Sequence, residues 1–250
     1  MKLQLVRHAT LWLEYGGVTL LIDPMLSAQG ENPPIMNSNN DRRNPLLPLP
    51  GPVEEWLSPD AVLVTHLHLD HWDTAAISLL DHSLPVLCQP GDSDKIIGQG
   101  FTNVTAVADV MSFLGIHISR TGGRHGTGAI GQLMGKVSGF VLRAEGEPVL
   151  YIAGDTIWCE EVSVALEEYQ PDVTVVNAGG AEFLEGGRIT MDERDIAEVL
   201  EEAPGTKVVA VHMDSINHCL VTREALTIRL KDAGLSGRVM IPGDGESLVF

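Results

Sequence analysis

The sequence predicts an α/β protein in which two β-sheets are covered by helices on their outer faces. The chain opens with three strand-like segments, and after residue 59 short apolar segments alternate with helical patterns. Hydrophobic residues make up 44% of the 250 positions, which is enough for a large core. No Gly-x-Gly-x-x-Gly pattern follows a strand, which argues against a dinucleotide-binding fold. We expect one domain over residues 1–250.

The composition excludes several classes of partner. The net charge is −18, and the 16 basic residues form no block, which argues against binding to nucleic acid. No segment approaches the roughly 20 apolar residues that a membrane span needs, and the first residues lack the pattern of a secretion signal. Three scattered cysteines do not form a disulfide framework. We therefore expect a cytoplasmic protein that binds a small molecule and neither nucleic acid nor a membrane.

The first 59 residues divide into a β-meander and a long loop. "KLQLVRHATLWLEY", a Gly16-Gly17 turn and "VTLLIDP" have the pattern of three antiparallel strands. Residues 24–59 contain eight of the 14 prolines together with many asparagines. Loops of this length in compact domains are commonly functional, so the segment is a candidate lid.

The rest of the chain alternates between strands and helices. The predicted strands are "DAVLVTH", "LPVLCQ", "NVTAVA", "GFVLRA", "PVLYIAGDT", "PDVTVVNA" and "KVVAVHMD", and the predicted helices are "DTAAISLLDH", "SDKIIGQG", "EEVSVALEEY", "ERDIAEVLEEA" and "REALTIRLKDAG". Asp73 is the expected N-cap of the first helix. A capping box from Thr190 to Glu193 is expected to start the fourth helix, and Gly234 to end the fifth.

The segment "THLHLDHWD" carries the strongest chemical signal. His66 and His68 are two residues apart, so on an extended backbone their side chains point the same way and can reach one ion. Asp70 and His71 follow as the chain turns towards a helix. Imidazole and carboxylate are common ligands of divalent metals. The alternative interpretation is a polar loop between a strand and a helix, which the full His-x-His-x-Asp-His spacing disfavours.

Three later residues occupy comparable positions at tight turns. His125 lies in the glycine-rich segment "GGRHGTG", Asp155 follows the strand "VLYIAG", and His212 ends the strand "KVVAVH". Each one alone is explained equally well as a capping aspartate or a core histidine. Together with the first motif they predict a metal site.

These residues, in this order, resemble the metallo-β-lactamase superfamily over essentially the whole chain. The resemblance implies a four-layer αββα sandwich with two metal ions at one edge. The first ion would be held by His66, His68 and His125, the second by Asp70, His71 and His212, with Asp155 bridging them. A hydroxide shared by the ions would attack the substrate, with Asp70 and Asp155 as catalytic residues.

The opening "RHATLWLEYGGVTLLIDP" resembles the branch that contains ascorbate-6-phosphate lactonase. His8 and Asp23 thereby become candidate pocket residues. Beyond the last ligand, Asn217 is a further pocket candidate and His218 a candidate catalytic residue. The diiron flavoprotein branch of this superfamily has a similar motif with glutamate at the position of His68. The histidine here therefore disfavours redox chemistry.

The sequence therefore predicts a dinuclear metal hydrolase that acts on a lactone, an ester or a phosphate-bearing small metabolite. Zinc is the favoured metal and manganese the alternative, because the ligand set has no thiolate. The resemblance also admits a homo-oligomer. Three other functions stay open: a phosphodiesterase or nuclease of the same fold, a non-catalytic metal-binding sensor, and a mononuclear iron oxygenase.

Overall fold

The computed structural model describes residues 1–250 and contains two seven-stranded sheets. The strands of the first sheet are, in chain order, β1 (Lys2–Arg7), β2 (Thr10–Tyr15), β3 (Val18–Ile22), β4 (Ala61–Val64), β5 (Pro85–Cys88), β6 (Asn103–Ala106) and β16 (Ser247–Val249). They lie in the order β16-β1-β2-β3-β4-β5-β6. β16 and β1 to β3 pair antiparallel, while β3 to β6 are parallel. The predicted β-meander is confirmed.

The second sheet repeats this arrangement. Its strands are β7 (Val110–Phe113), β8 (Ile116–Thr121), β9 (Gly139–Arg143), β10 (Leu150–Ile152), β11 (Val173–Asn177), β14 (Lys207–Val211) and β15 (Val239–Met240). Strands β7 to β10 pair antiparallel, and β10, β11, β14 and β15 are parallel. A separate hairpin is formed by β12 (Glu182–Phe183) and β13 (Gly187–Arg188).

Helices cover the outer faces of both sheets. The α-helices are α1 (Thr74–Leu79), α2 (Ser93–Gly98), α3 (Gly128–Met134), α4 (Glu160–Tyr169), α5 (Glu193–Glu202) and α6 (Arg223–Asp232), and Val53–Trp56 is a short 3₁₀ helix. Of these, α3 packs against the β12–β13 region and not on a sheet face. The Asp73 side chain accepts a hydrogen bond from the backbone N–H of Ala76, as expected of an N-cap. None of the helices is both long and apolar enough to cross a membrane.

The core has three main clusters, which correspond to the three interfaces between four layers. The largest contains 22 buried residues and joins the facing sides of the two sheets, with Leu5 and Leu13 from one and Phe140 and Leu142 from the other. Burying side chains of this kind stabilises a fold by roughly 1.5–3 kcal/mol each. The other two clusters pack α4, α5 and α6 on the second sheet and α1 and α2 on the first. The predicted αββα sandwich is confirmed.

Several features differ from the sequence expectations or were not foreseen, among the latter α3, the β12–β13 hairpin and β15. The capping box of α5 is formed by Asp192 and Asp195, not by Thr190 and Glu193. The Thr190 hydroxyl instead accepts a hydrogen bond from the backbone N–H of Ala181, in the neighbouring hairpin region. The C-terminal strand β16, which pairs with β1, was also not foreseen.

The segment 24–59 contains no strand and only the 3₁₀ helix, so the predicted long loop is confirmed. It is nevertheless anchored to the sandwich. The buried Arg7 guanidinium donates to the carbonyls of Met25, Ser27 and Leu47. The backbone N–H of Leu46 donates to the carbonyl of Ser215 at 2.7 Å. Its role as a lid stays a prediction.

Candidate metal centre

The seven predicted metal ligands meet at one edge of the sandwich, where strands of both sheets end. His66 comes shortly after β4, Asp155 shortly after β10, and His212 directly after β14. These strands lie in the parallel halves of their sheets, so their carboxyl ends reach the same edge. His125 arrives from the loop between β8 and α3. Strand ends therefore bring together residues that are distant in the sequence.

Two glycines allow the backbones to approach this closely. Gly154 has a φ of +71°, and a Cβ there would lie 2.7 Å from the carbonyl oxygen of Ser138. A Cβ on Gly179 would lie 2.0 Å from the carbonyl oxygen of His212. A side chain at either position would push the ligand-bearing segments apart.

Group 1 consists of His66, His68 and His125. Nε2 of His66 lies 3.0 Å from Nδ1 of His68, so these residues present different ring nitrogens to one point. The ring of His125 lies 5.1 Å from that of His68, centroid to centroid. His66 and His125 are buried and His68 is half-buried, which leaves this group open on one side.

Group 2 consists of Asp70, His71 and His212, all of them buried. Nε2 of His71 lies 3.3 Å from Nε2 of His212. Oδ2 of Asp70 lies 3.4 Å from Nε2 of His212 and 3.9 Å from Nε2 of His71. The three ligand atoms thus form a compact triangle.

Asp155 lies between the two groups. Its Oδ2 is 3.3 Å from Nε2 of His71, 3.4 Å from Nε2 of His125 and 3.8 Å from Nε2 of His66. Its Oδ1 is 3.3 Å from Nε2 of His212. One carboxylate therefore faces ring nitrogens of both groups.

In most histidines of the cluster, the ring nitrogen that points away from the centre of the cluster has a polar partner. Nδ1 of His71 lies 2.8 Å from a carboxylate oxygen of Asp23, and Nδ1 of His125 donates to a backbone carbonyl at 2.8 Å. Nδ1 of His66 lies 3.0 Å from the hydroxyl of Thr65. Such partners fix the orientation of each ring and direct its other nitrogen towards a metal.

The donor set fits divalent metal ions. Bonds from zinc to nitrogen and oxygen are about 2.0–2.2 Å, so ligand atoms around one ion lie about 3–4 Å apart. The closest pairs of ligand atoms in the cluster lie 3.0–3.9 Å apart, and the ligand atoms within each group lie within 4.8 Å of one another. The donors are imidazole nitrogens and carboxylate oxygens, a set that zinc, manganese, iron and nickel all accept.

The two pocket candidates from the start of the chain both contact group 2. Nε2 of His8 lies 3.2 Å from Oδ2 of Asp70, and its ring centroid lies 3.6 Å from that of His212, with the two rings tilted by 40°. Asp23 follows β3 and accepts hydrogen bonds from the backbone N–H and the hydroxyl of Thr65, both at 2.7 Å, in addition to its contact with His71. The buried Asp23 carboxylate thus joins the ends of β3 and β4 to a ligand.

The two groups have opposite electrostatic surroundings. Burial lowers the pKa of His66 and His125, and neighbouring histidines add to the effect. Burial also opposes a charge on His71, but the carboxylates of Asp155, Asp23 and Asp70 outweigh it and raise its pKa to about 10. In the same way Asp155 prevails over burial and raises the pKa of His212.

The candidates beyond the last ligand occupy different surroundings. His218 is 3% exposed, lies against Phe183 and has no hydrogen-bond partner at Nδ1. The Asn217 amide is bonded to the segment 24–59, accepting from the N–H of Ile35 and donating to its carbonyl, both at 3.0 Å. Asn217 therefore ties that segment to the site, and its contact with substrate stays a prediction.

Sequence reasoning missed two residues that contact the cluster. Asn177 donates from Nδ2 to Oδ1 of Asp155 at 2.6 Å. Its position at the end of a parallel strand is the signal that singled out Asp155 and His212, and it could have been found in the same way. The thiol of Cys219 lies 3.5 Å from Nδ1 of His212, a contact that no spacing in the sequence indicates.

Comparison with known protein families agrees with this geometry. Residues 19–213 match the family model of the β-lactamase superfamily domain. The chain belongs to this family. It is a metal-dependent hydrolase of the metallo-β-lactamase fold, as the sequence predicts.

Several relatives are similar over their whole length. The UPF0173 protein YddR of Bacillus subtilis is 37% identical, with 100% of both chains covered. A UPF0173 metal-dependent hydrolase of Azorhizobium caulinodans is 26% identical, with 99% of each covered. Among solved structures, an isothiocyanate hydrolase from Delia radicum gut bacteria is 38% identical, covers 100% of this chain and 99% of its own, and superposes with a TM-score of 0.96.

Proposed function

We propose that the protein is a dinuclear hydrolase of small molecules, with one divalent ion held by group 1, a second by group 2 and Asp155 between them. The position of Asp155 carries this proposal, because its two oxygens lie 3.3–3.8 Å from ring nitrogens of both groups. Zinc is the favoured metal and manganese the alternative, since the donors are nitrogen and oxygen only.

Divalent ions held by the residues of group 1, group 2 and Asp155 would supply a hydroxide at neutral pH and would polarise the group under attack. The protein's own residues hold this arrangement in place. Asn177 fixes the Asp155 carboxylate, and His8 contacts Asp70, which we propose orients the nucleophile. No serine or cysteine nucleophile is required.

His218 is the proposed residue for contact with substrate. It is buried, and its pKa is lowered to about 4, chiefly by burial, so that it is neutral at pH 7. With no partner at Nδ1, the ring is free to hydrogen-bond a substrate heteroatom. We expect His218→Gln to lower kcat/KM about tenfold or more with unchanged metal content, whereas the exposed His117→Gln leaves both unchanged.

The proposed substrates share an electrophilic carbon. The resemblance to the ascorbate-6-phosphate lactonase branch favours a lactone or ester, including phosphate-bearing metabolites. The 38% identical isothiocyanate hydrolase adds the class R–N=C=S. Addition of water to its central carbon gives a thiocarbamate, which breaks into an amine and carbonyl sulfide. An ester or lactone attacked in the same way gives an acid and an alcohol.

The decisive experiment measures metal content and substrate range together. The metal-free protein is loaded with zinc or manganese and assayed with aryl esters, lactones, benzyl isothiocyanate and a phosphodiester. We expect two ions per chain and turnover of at least one carbon electrophile. Fewer than one ion per chain would contradict the dinuclear site. Turnover of the phosphodiester alone would favour the phosphodiesterase alternative, which the net charge of −18 disfavours.

A further inference from the structure

We infer that a positively charged cleft beside group 1 binds an anionic group of the substrate; this inference rests on the proposed function. The cleft, called the lysine cleft here, has a volume of about 320 Å³. Its walls include His66, His68, Gln89, Asp92, Lys95 and Lys136. It therefore runs from two ligands of group 1 to two lysines.

The charge of the cleft contrasts with that of the chain. The protein has a net charge of −18 and only five lysines, of which two line this one cleft. Lys136 makes no ion pair, and Lys95 has Nζ 3.6 Å from Asp92. At least one full positive charge is thus available beside group 1. An ammonium group attracts carboxylate and phosphate as a point charge.

A buried glutamine holds the two lysine-bearing segments together. Gln89 is 6% exposed, and its Nε2 donates to Asp92 at 2.8 Å and to the backbone carbonyl of Lys136 at 3.0 Å. Its Oε1 accepts from the hydroxyl of Ser138 at 2.9 Å. The backbones that carry Lys95 and Lys136 are therefore fixed relative to each other, although the lysine side chains are exposed.

The positive character continues away from the metal centre. A second cleft of about 310 Å³ shares Gln89 and Lys136 with the first and adds Arg120. Arg120 donates to a backbone carbonyl and to Ser138, and forms no ion pair with a carboxylate. Glu161 lines the far wall but is paired with Arg124. A substrate whose reacting carbon lies at the metal centre can extend its anionic end along this line.

The first test compares a neutral substrate with an anionic one of the same reaction class, on the metal-loaded protein. 4-Nitrophenyl acetate and 4-nitrophenyl hydrogen succinate release the same phenol, but only the second carries a carboxylate. We expect Lys136→Met to raise KM for the succinate ester about tenfold and to leave the acetate unchanged. Lys95→Met should have a smaller effect in the same direction, because Asp92 is near. Lys231→Met, which removes another exposed and unpaired lysine on α6, should change neither KM.

The second test measures binding without turnover. Benzenesulfonate is an anion that coordinates metals weakly, and its binding to the metal-loaded protein is followed by NMR titration. We expect the Lys95→Met/Lys136→Met double variant to bind it about tenfold more weakly than the wild type or Lys231→Met, and high salt to weaken wild-type binding. Equal binding by all variants would overturn the inference. Lysine-dependent binding without hydrolysis of either ester would support the cleft and contradict the proposed function.

Discussion

Group 1 and group 2 offer similar donors but lie in different environments. Group 2 is completely enclosed, with Asp23 and His8 as charged or polar neighbours that themselves are buried. Group 1 contains the half-buried His68 and borders the lysine cleft. The outer contacts of its other two histidines go to a hydroxyl and a backbone carbonyl, not to a carboxylate.

This difference indicates what each half contributes. In the metal-free protein the carboxylates around His71 favour its protonated, positively charged form. The negative charge that surrounds group 2 is therefore in place before a metal ion binds. In group 1 the pKa values of His66 and His125 are lowered, and the group has an open side, which suits approach of a substrate. We therefore expect group 2 to bind its ion more tightly once the proton of His71 is displaced, and group 1 to face the substrate.

The largest loss of activity is expected on substitution of Asp155, which lies between group 1 and group 2. Asp155→Asn keeps the shape of the side chain but removes the charge that faces both groups. We expect kcat/KM to fall by about three orders of magnitude or more, and both ions to bind more weakly. Metal content and turnover are measured together, with the exposed Asp232→Asn as control. Full activity in Asp155→Asn would contradict a bridging role.

A change at Asp23 should affect metal binding at group 2 more than at group 1. Asp23→Asn replaces the carboxylate beside Nδ1 of His71 with an amide. Loss of such an outer partner commonly weakens metal binding 10–100-fold. We expect this loss mainly for the ion of group 2, in titrations against a competing chelator, because Asp23 reaches His66 of group 1 only through Thr65.

The control for this variant is Asp73→Asn, which alters another buried carboxylate, the cap of α1. It should lower thermal stability without changing the affinity of either ion. Equal weakening of both ions in Asp23→Asn would show that Asp23 supports the whole site and not group 2 alone.

The number of protons released on metal binding should also differ between group 1 and group 2. At pH 7 the metal-free His71 is charged, since its pKa is raised to about 10, and a metal must displace that proton. His66 and His125 have lowered pKa values and are already neutral. Affinity at group 2 should therefore rise about tenfold per pH unit between pH 7 and 10 for each proton displaced, while affinity at group 1 stays flat. Calorimetry in buffers of different ionisation enthalpy counts the protons.

The same shift affects the stability of the metal-free protein. A histidine whose pKa is raised on folding stabilises the fold fully below pH 6.5, and this stabilisation is lost as the pH rises through about 10. We expect the melting temperature of the metal-free protein to fall over this range. The His71→Gln variant, which has no proton to lose there, should show a flatter pH dependence.

The candidate ligands could be picked out from the sequence because their signals are local. The spacing from His66 to His71 and the positions of Asp155 and His212 at strand ends need no knowledge of the tertiary structure. The β-meander and five of the six α-helices follow from periodicity in the same way. Asn177 shares the strand-end signal and was missed only because an asparagine is a weaker indication of metal binding than a histidine or an aspartate.

Other features depend on contacts between distant segments. His8 packs against His212, 204 positions later in the chain, and Gln89 joins two segments that are separated by about 45 residues. The N-cap of α5 was misassigned because the Thr190 hydroxyl accepts from the backbone N–H of Ala181, a contact that the sequence does not show, while Asp192 caps the helix. These contacts depend on the tertiary structure, so no periodic pattern in the sequence predicts them.

The smallest effect is expected at Cys219, the outer partner of His212. A thiol is a weaker hydrogen-bond acceptor than the carboxylate that serves His71, and the Sγ to Nδ1 distance is 3.5 Å. Cys219→Ala should therefore weaken the ion at group 2 only about threefold, well below the effect of Asp23→Asn. Cys88→Ala removes a buried thiol from the core and should lower stability alone. If Cys219→Ala matched Asp23→Asn, the charge of the outer partner would not be what holds group 2, because a neutral thiol would then support its histidine as strongly as a carboxylate does.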